Sequence, residues 1–191
     1  MKIRCTWCGS DPIYMDYHDT HWGVPVYDSK ELFAKLILDG AQAGLSWITI
    51  LKKMDGYYEA FDGLNPDKMA LYSEDKIQEL IVNPAIVRNK LKIRAAITNA
   101  KAYLEIEKEV GSFSDYLWGF VDGKVIKNAI KDRSEAIVTS AQSDAMSKDL
   151  KKRGFKFVGS TICYAFMQAV GMINDHTTDC FRYNEVAQLI K

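Results

Sequence analysis

The sequence has no excess of either charge: 25 lysines and arginines stand against 25 aspartates and glutamates. No global field draws this chain to a polyanion, so any affinity for nucleic acid has to come from local clusters. It also lacks an apolar run approaching the length of a membrane span, and its opening residues, MKIRCTWCGS, lack the apolar core of a signal peptide. The expected location is the cytoplasm, with no membrane partner. There Cys5, Cys8, Cys163 and Cys180 serve as thiols or metal ligands rather than disulfides. Repeats, low-complexity tracts and alternating strands of useful length are absent too. What remains is 191 residues, 48% apolar and 26% charged, which suits one globular domain over 1–191, or two lobes sharing a core.

The signals that are present are helical, and the expected fold class is all-α. Asp28-Ser29 opens a run with Leu32, Phe33, Leu36 and Ile37 at helical spacing. A second helix is expected from Ser46 through Ile48 and Leu51 to Tyr58. Asn65-Pro66 is a start signal, with proline at the first helical position. Ser73 can cap EDKIQELIV, and a long helix is expected after Pro84, past Leu104. Ser112 can cap FSDYLWGFV, Ser143 can cap DAMSKDLKKRG, and STICYAFMQAVGM reads as a buried helix. Over 122–142 the signals conflict.

Potential metal ligands gather at the two ends of the chain. Cys5, Cys8, His18 and His21 lie near the start; His176 and Cys180, four residues apart, lie near the end. All three histidines of the sequence belong to this set. His176 and Cys180 can share a helix face or a tight turn, and two ligands from the other end would complete a tetrahedron. Spacing alone leaves the N-terminal half open between Cys5 with Cys8 and Cys5 with His18. A reduced pair of buried thiols beside solvated histidines is the plainer alternative.

Two basic runs stand out, RNKLKIR with Arg88, Lys90, Lys92 and Arg94, and KKRGFK with Lys151, Lys152, Arg153 and Lys156. Such runs are ordinarily solvated helix faces. The first follows VNPAIV directly, where two helices join through a very short turn. The free amides of that turn and of the next helix N-terminus can bind phosphate, with lysines close behind. Aromatics form a third group: Trp7, Tyr14, Tyr17 and Trp22 crowd the N-terminal segment, and Trp47 follows ILDGAQAGLS. Singly, each is core by default. Together with Asp39, a lone carboxylate in an apolar stretch, they suggest a pocket for a flat ring.

The blocks CTWCGSDPIYMDYHDTHWGVPVYDSKELF, AGLSWITILKK and KKRGFKFVGSTICYAFMQAVGMINDH, with the closing Cys180, resemble the bacterial 3-methyladenine DNA glycosylase I family. The likeness runs from Cys5 to about Cys180 in order and spacing. It implies a helix-hairpin-helix glycosylase fold in two helical lobes, the hairpin at about 75–95, with segments 1–25 and 172–182 tied by a structural zinc ion. The ligands it implies are Cys5, His18, His176 and Cys180, which leaves out Cys8 and His21. Trp7, Tyr14, Tyr17, Trp22 and Trp47 would line the base pocket, Asp39 would contact the base, and Gly44, Leu45, Lys90 and Lys92 would meet the DNA.

Two positions depart from the family pattern. Asp39 stands where glutamate is usual, one methylene shorter, and Ala85 stands where the hairpin normally has glycine. The implied activity is excision of N3-methyladenine from alkylated double-stranded DNA by a monomer that flips the nucleotide out and hydrolyses the N-glycosidic bond. Free 3-methyladenine is the product; no lysine nucleophile is implied, hence no lyase step. Glu105 and Glu107 read as a solvated helix face. A DNA-binding module without chemistry would need no aromatic pocket with an acid, and a zinc-stapled interaction protein would need neither Gly44-Leu45 nor the hairpin.

Overall fold

The computed structural model describes residues 2–189; residues 1, 190 and 191 of the expected domain lie outside them. The structure is mostly helical, and α1 (Pro12–Thr20) begins behind Asp11, whose carboxylate accepts from the Ile13 amide. Helix α2 (Ser29–Gln42) is capped by Asp28, and the expected core positions Leu32, Phe33, Leu36 and Ile37 are all buried. Two short helices follow, α3 (Trp47–Leu51) and α4 (Met54–Ala60). The single helix expected from Ser46 to Tyr58 is therefore broken at Lys52-Lys53.

The break has a tertiary cause. It lets α4 dock on the turn at 83–89, where the Lys53 ammonium donates to the Pro84 carbonyl (2.7 Å) and the Val87 amide to the Tyr57 hydroxyl (3.3 Å). Gly56 makes the close approach possible, because a Cβ there would stand 2.5 Å from the Ala85 oxygen. Ala85 itself is not among the residues with positive φ. An alanine thus fits this turn without left-handed strain, its methyl accommodated by the absent side chain of Gly56.

The proline-started α5 (Pro66–Met69) and the Ser73-capped α6 (Glu74–Val82) fall where their caps predict. Helix α7 (Lys90–Val110) begins later than Pro84, because Ile86 is buried as an anchor of the turn and the Asn89 side chain takes the amides of Leu91 and Lys92. Glu105 is exposed as expected, while Glu107 turns back to accept from the Phe113 amide and hold the start of α8 (Phe113–Trp118). In α9 (Ala141–Lys152) the cap is Ser140, and Ser143 completes a reciprocal capping box three residues on, correcting the cap expected at Ser143. The buried helix α10 (Ser160–Ala169) ends before Val170, earlier than the apolar run suggested.

One feature is not helical. Two residues, Ile126–Lys127 (β1), pair in parallel with Ile173–Asn174 (β2), and the Thr178 amide donates to the Ile130 carbonyl beyond them (2.8 Å). Strands this short are invisible to periodicity. They fix 126–130 beside the segment after α10, ahead of the terminal α11 (Arg182–Ala187). The main apolar core lies between α2, α7, α8, α9 and α10, with Phe33, Phe113, Phe155 and Tyr164 fully enclosed. A smaller core joins the chain ends through Cys5, Tyr17, Trp22, Ala169 and Cys180. Among the described residues, no helix is long and apolar enough to cross a membrane.

Candidate active site

The smaller core contains the expected ligand set. Cys5, His18, His176 and Cys180 are all buried, and one donor atom from each lies within 4.8 Å of the others, a group that could hold a metal ion. The spacing ambiguity closes here, since Cys8 instead turns its thiol to the carbonyls of Cys5 and Gly9. His176 and Cys180 meet around a tight turn, closed by the Cys180 amide on the Thr177 carbonyl (2.8 Å).

The outer partners of these side chains are also in place. His18 Nδ1 meets Asp19 (2.8 Å), which Arg4 grips with Nε and Nη2, and His176 Nε2 meets the Trp22 carbonyl (3.1 Å). The Thr177 amide points at the Cys5 sulfur (3.4 Å). The Arg4 hydrogen bonds hold the Asp19 carboxyl down at about 2, so it stays an anion beside the imidazole. Of the two thiols, Cys180 is held toward the thiolate by the hydrogen bond from Cys5 and those of both imidazoles.

Directly against this group stands a chamber of about 300 Å³. Trp7, Tyr14, Tyr17, Trp22 and Trp47 all line it, and Asp39 reaches it from the last turn of α2. The rings brace one another: Trp7 lies edge-on to Tyr14 (5.2 Å) and Trp22 (4.9 Å), and Tyr17 lies 5.4 Å from Trp47. Trp22 in turn packs edge-on to His176 at 4.6 Å, so one wall of the chamber rests on the ligand group.

Three buried polar atoms here have no partner: Asp39 Oδ2, Trp7 Nε1 and Trp47 Nε1. Native proteins rarely leave such atoms unpaired in a packed interior. Asp39 is 5% exposed, and burial pushes its carboxyl up to about 7, with Lys35 drawing it partway down. The chamber is apolar and aromatic, with one acid and two indole N–H groups free, which is the chemistry of a site for a flat heterocycle carrying hydrogen-bonding edges.

Residues 7–183 match the model of the methyladenine glycosylase family. The chain belongs to that family. A DNA-3-methyladenine glycosylase of Haemophilus influenzae is 48% identical over 180 residues, covering 94% of this chain and 97% of that protein. A crystal structure of 3-methyladenine DNA glycosylase I superposes with a TM-score of 0.92 at 47% identity, over 94% of this chain and 98% of that one. A variant of 3-methyladenine DNA glycosylase I solved in complex with 3-methyladenine superposes with a TM-score of 0.91 at 41% identity, over 93% of this chain and 96% of that one.

In this glycosylase-family chain the loop after α2 carries Gly44 at φ +76° with open space around its Cα, and Leu45, 37% exposed, at its tip. Gln42 folds the loop by donating to the Leu45 carbonyl (2.7 Å). Lys90 is exposed at the start of α7, as a phosphate contact requires. Lys92 is placed differently: its ammonium donates to the carbonyls of Ala41 (2.7 Å) and Ala43 (2.6 Å), so it braces the Gly44-Leu45 loop from below. Arg94 is likewise engaged, by Glu74.

Sequence reasoning missed several chamber residues. Arg133 comes from a single turn of 3₁₀ helix (Arg133–Glu135) inside the segment of conflicting signals. Asp175 also lines the chamber, held by Tyr164, Gln168 and Asn128, each at 2.7 Å. Its one sequence signal was adjacency to His176.

Proposed function

We propose that the chain is a DNA repair glycosylase that excises N3-methyladenine from alkylated double-stranded DNA, leaving an abasic site. The observation that carries this reading is that Asp39, Trp7 and Trp47, each with a buried polar atom left unpartnered, all line one aromatic chamber. Relatives named for this activity, one solved with the free base, support it.

The chemistry asks little covalent work of the protein. Methylation at N3 leaves the adenine cationic, so the base departs as a neutral molecule once the C1′–N9 bond breaks and its electron pair returns to the ring. Water adds to C1′ and its proton leaves to solvent, with no lyase step. The protein's part is to flip the nucleotide out, hold the cationic ring and exclude competing bases. Gly44 lets backbone approach the duplex, and Leu45 fills the space left in the stack. The tryptophan and tyrosine rings sandwich the purine, and Asp39 accepts from its exocyclic amine. A cation entering the chamber also pulls the Asp39 proton off, because opposite charge in a low-dielectric site favours the anion.

The turn between α6 and α7 serves as a helix-hairpin-helix contact to the DNA backbone. Among the described residues, the amides of Ile86 and Arg88 have no acceptor within the protein, and Lys90 stands beside them. These positions bind phosphate without reading sequence.

Zinc fits the ligand group. Bonds of about 2.3 Å to sulfur and 2.0–2.1 Å to nitrogen make the sulfur–nitrogen edges of a tetrahedron about 3.6 Å. The distances here are 3.5 Å (Cys5–His176), 3.5 Å (Cys180–His18) and 3.6 Å (Cys180–His176). Four protein ligands leave no open position, so zinc would be structural, tying segments 1–25 and 172–182. We read 1–191 as one domain acting as a cytoplasmic monomer.

The test is incubation of the protein with methylated duplex, followed by chromatography of the released bases. Free 3-methyladenine with intact but abasic strands is expected. Binding to duplex with no base released would make the chain a DNA-binding module and sink the enzymatic reading.

A further inference from the structure

Asp39 has two sides. Besides the chamber, it lines a second cavity of about 250 Å³ together with Lys35, Leu38, Tyr17 and Trp47. Lys35 precedes Asp39 by four residues on α2, the spacing that sets two side chains one turn apart on the same helix face. Lys35 is half-buried, and among the described residues its ammonium makes no hydrogen bond or ion pair. Two opposite charges therefore share one sheltered wall, with Glu31, one turn before Lys35, the other charge acting on the ammonium.

The other titratable groups around Asp39 are differently disposed. On the cavity side stand Asp16 and Tyr17 of α1, His21 just beyond it, Glu31 of α2, and Asp55 and Tyr58 of α4. On the chamber side Asp175 already has three donors, and Arg133 approaches from the loop opposite. Behind, Cys163 of α10 feels the Asp39 charge. Lys35 is the cation on Asp39's own helix face, its ammonium pulled down by burial and supported by the charges of Glu31 and Asp39.

We propose that Lys35 is a specificity-determining residue of this enzyme, acting from the second cavity to favour the anionic form of Asp39 in the empty chamber. This rests on the function proposed above. An anionic Asp39 can only accept a hydrogen bond, so it selects a purine with an exocyclic amine. A protonated Asp39 can donate, and would admit a purine with a carbonyl at the same edge. Burial raises the acid and Lys35 draws it back to about 7, so the neighbouring ammonium sets how much of the anion is present at neutral pH. The aspartate, one methylene shorter than glutamate, keeps its carboxylate near the helix and so near Lys35.

The test is binding of free 3-methyladenine, followed by tryptophan fluorescence from pH 5.5 to 8.5, in the parent, Lys35→Met and Lys35→Arg. Binding should strengthen as pH rises through the Asp39 titration. In Lys35→Met that midpoint should move up by roughly one pH unit, the size expected for losing a nearby opposite charge. At pH 7 affinity should then fall roughly fivefold, the ratio of anionic fractions for pKa values near 7 and 8. Lys35→Arg should restore the parent midpoint. The excision ratio of 3-methyladenine to 3-methylguanine from methylated duplex should fall in Lys35→Met.

A structural role for Lys35 would change melting temperature and leave the midpoint in place. Coincident midpoints in a parent that binds the base would overturn the proposal for Lys35 alone. A parent that neither binds 3-methyladenine nor releases it from DNA would overturn the functional reading beneath it.

Discussion

The Cys/His group and the aromatic chamber share walls but treat buried polarity in opposite ways. Around the group, each imidazole has its outer partner and each sulfur has a donor or a ring nitrogen at hand. In the chamber, an acid and two indole N–H groups stay unpaired. Each such atom costs on the order of 1–3 kcal/mol while it waits. The first region's polar atoms are paired as they stand; the second's are left without partners. The contact of Trp22 with His176 at 4.6 Å lets the satisfied region hold the unsatisfied one in shape.

The strongest way to break this contrast is to unsatisfy the first region. Cys180→Ala or His176→Ala should cost on the order of 3–5 kcal/mol, as broken buried charge pairs do, or roughly 6–20 °C in melting temperature. Base binding should be lost with it, and metal analysis should fall from one zinc per chain to none.

Unloading the second region should do the reverse. Asp39→Asn should lower affinity for 3-methyladenine by about one to two decades, the worth of a charge-assisted bond of about 1.5–3 kcal/mol. Stability should not fall with it. The folded acid titrates near 7 and the unfolded one near 3.9, so between those values the folded state holds more protons and loses stability as pH rises. Melting curves of Asp39→Asn and the parent should therefore meet near pH 4 and separate in favour of the variant by pH 8. A variant less stable at every pH would make Asp39 a structural residue. Asp39→Glu sharpens the point, since tighter base binding would mean that the chamber kept room for the family's longer acid.

Smaller effects should separate the two lysines. Lys92→Met orphans the Ala41 and Ala43 carbonyls and should cost about 1–2 kcal/mol in denaturant unfolding. Lys90→Met should leave stability alone and reduce the salt slope of duplex binding by roughly one. Smallest of all should be Cys8→Ala, whose thiol lies outside the ligand group. It should keep zinc and lower the melting temperature far less than either ligand change.

What was legible in the sequence was mostly local. Asp28, Asn65, Ser73 and Ser112 announce helix starts because each cap bonds an amide two or three residues on. The break at Lys52-Lys53 was not legible, since it answers to Ala85 and Val87 thirty residues away. Ligand residue types stood out in the sequence, but choosing His18 over Cys8 took the family resemblance. Asp39 stood out as an acid in an apolar stretch, whereas Lys35 passed as an ordinary helix residue. Lys92 read as a DNA contact because its cluster was visible and the carbonyls it holds, some fifty residues back, were not.

The meeting of the two chain ends also sets a timetable for synthesis. His18 leaves the ribosome 158 residues before His176, a wait of roughly 8–32 s at ordinary elongation rates. Through that interval Trp7, Tyr14, Tyr17 and Trp22 can lean on Trp47, Leu51 and one another, but Trp22 lacks the His176 ring it packs against and the Cys/His group is half-made. The aromatic chamber, walled in part by Asp175 and Thr177, is thus completed only near the end of synthesis. A nascent chain stalled before Cys180 would lack one of the four donors of the group on which a chamber wall rests.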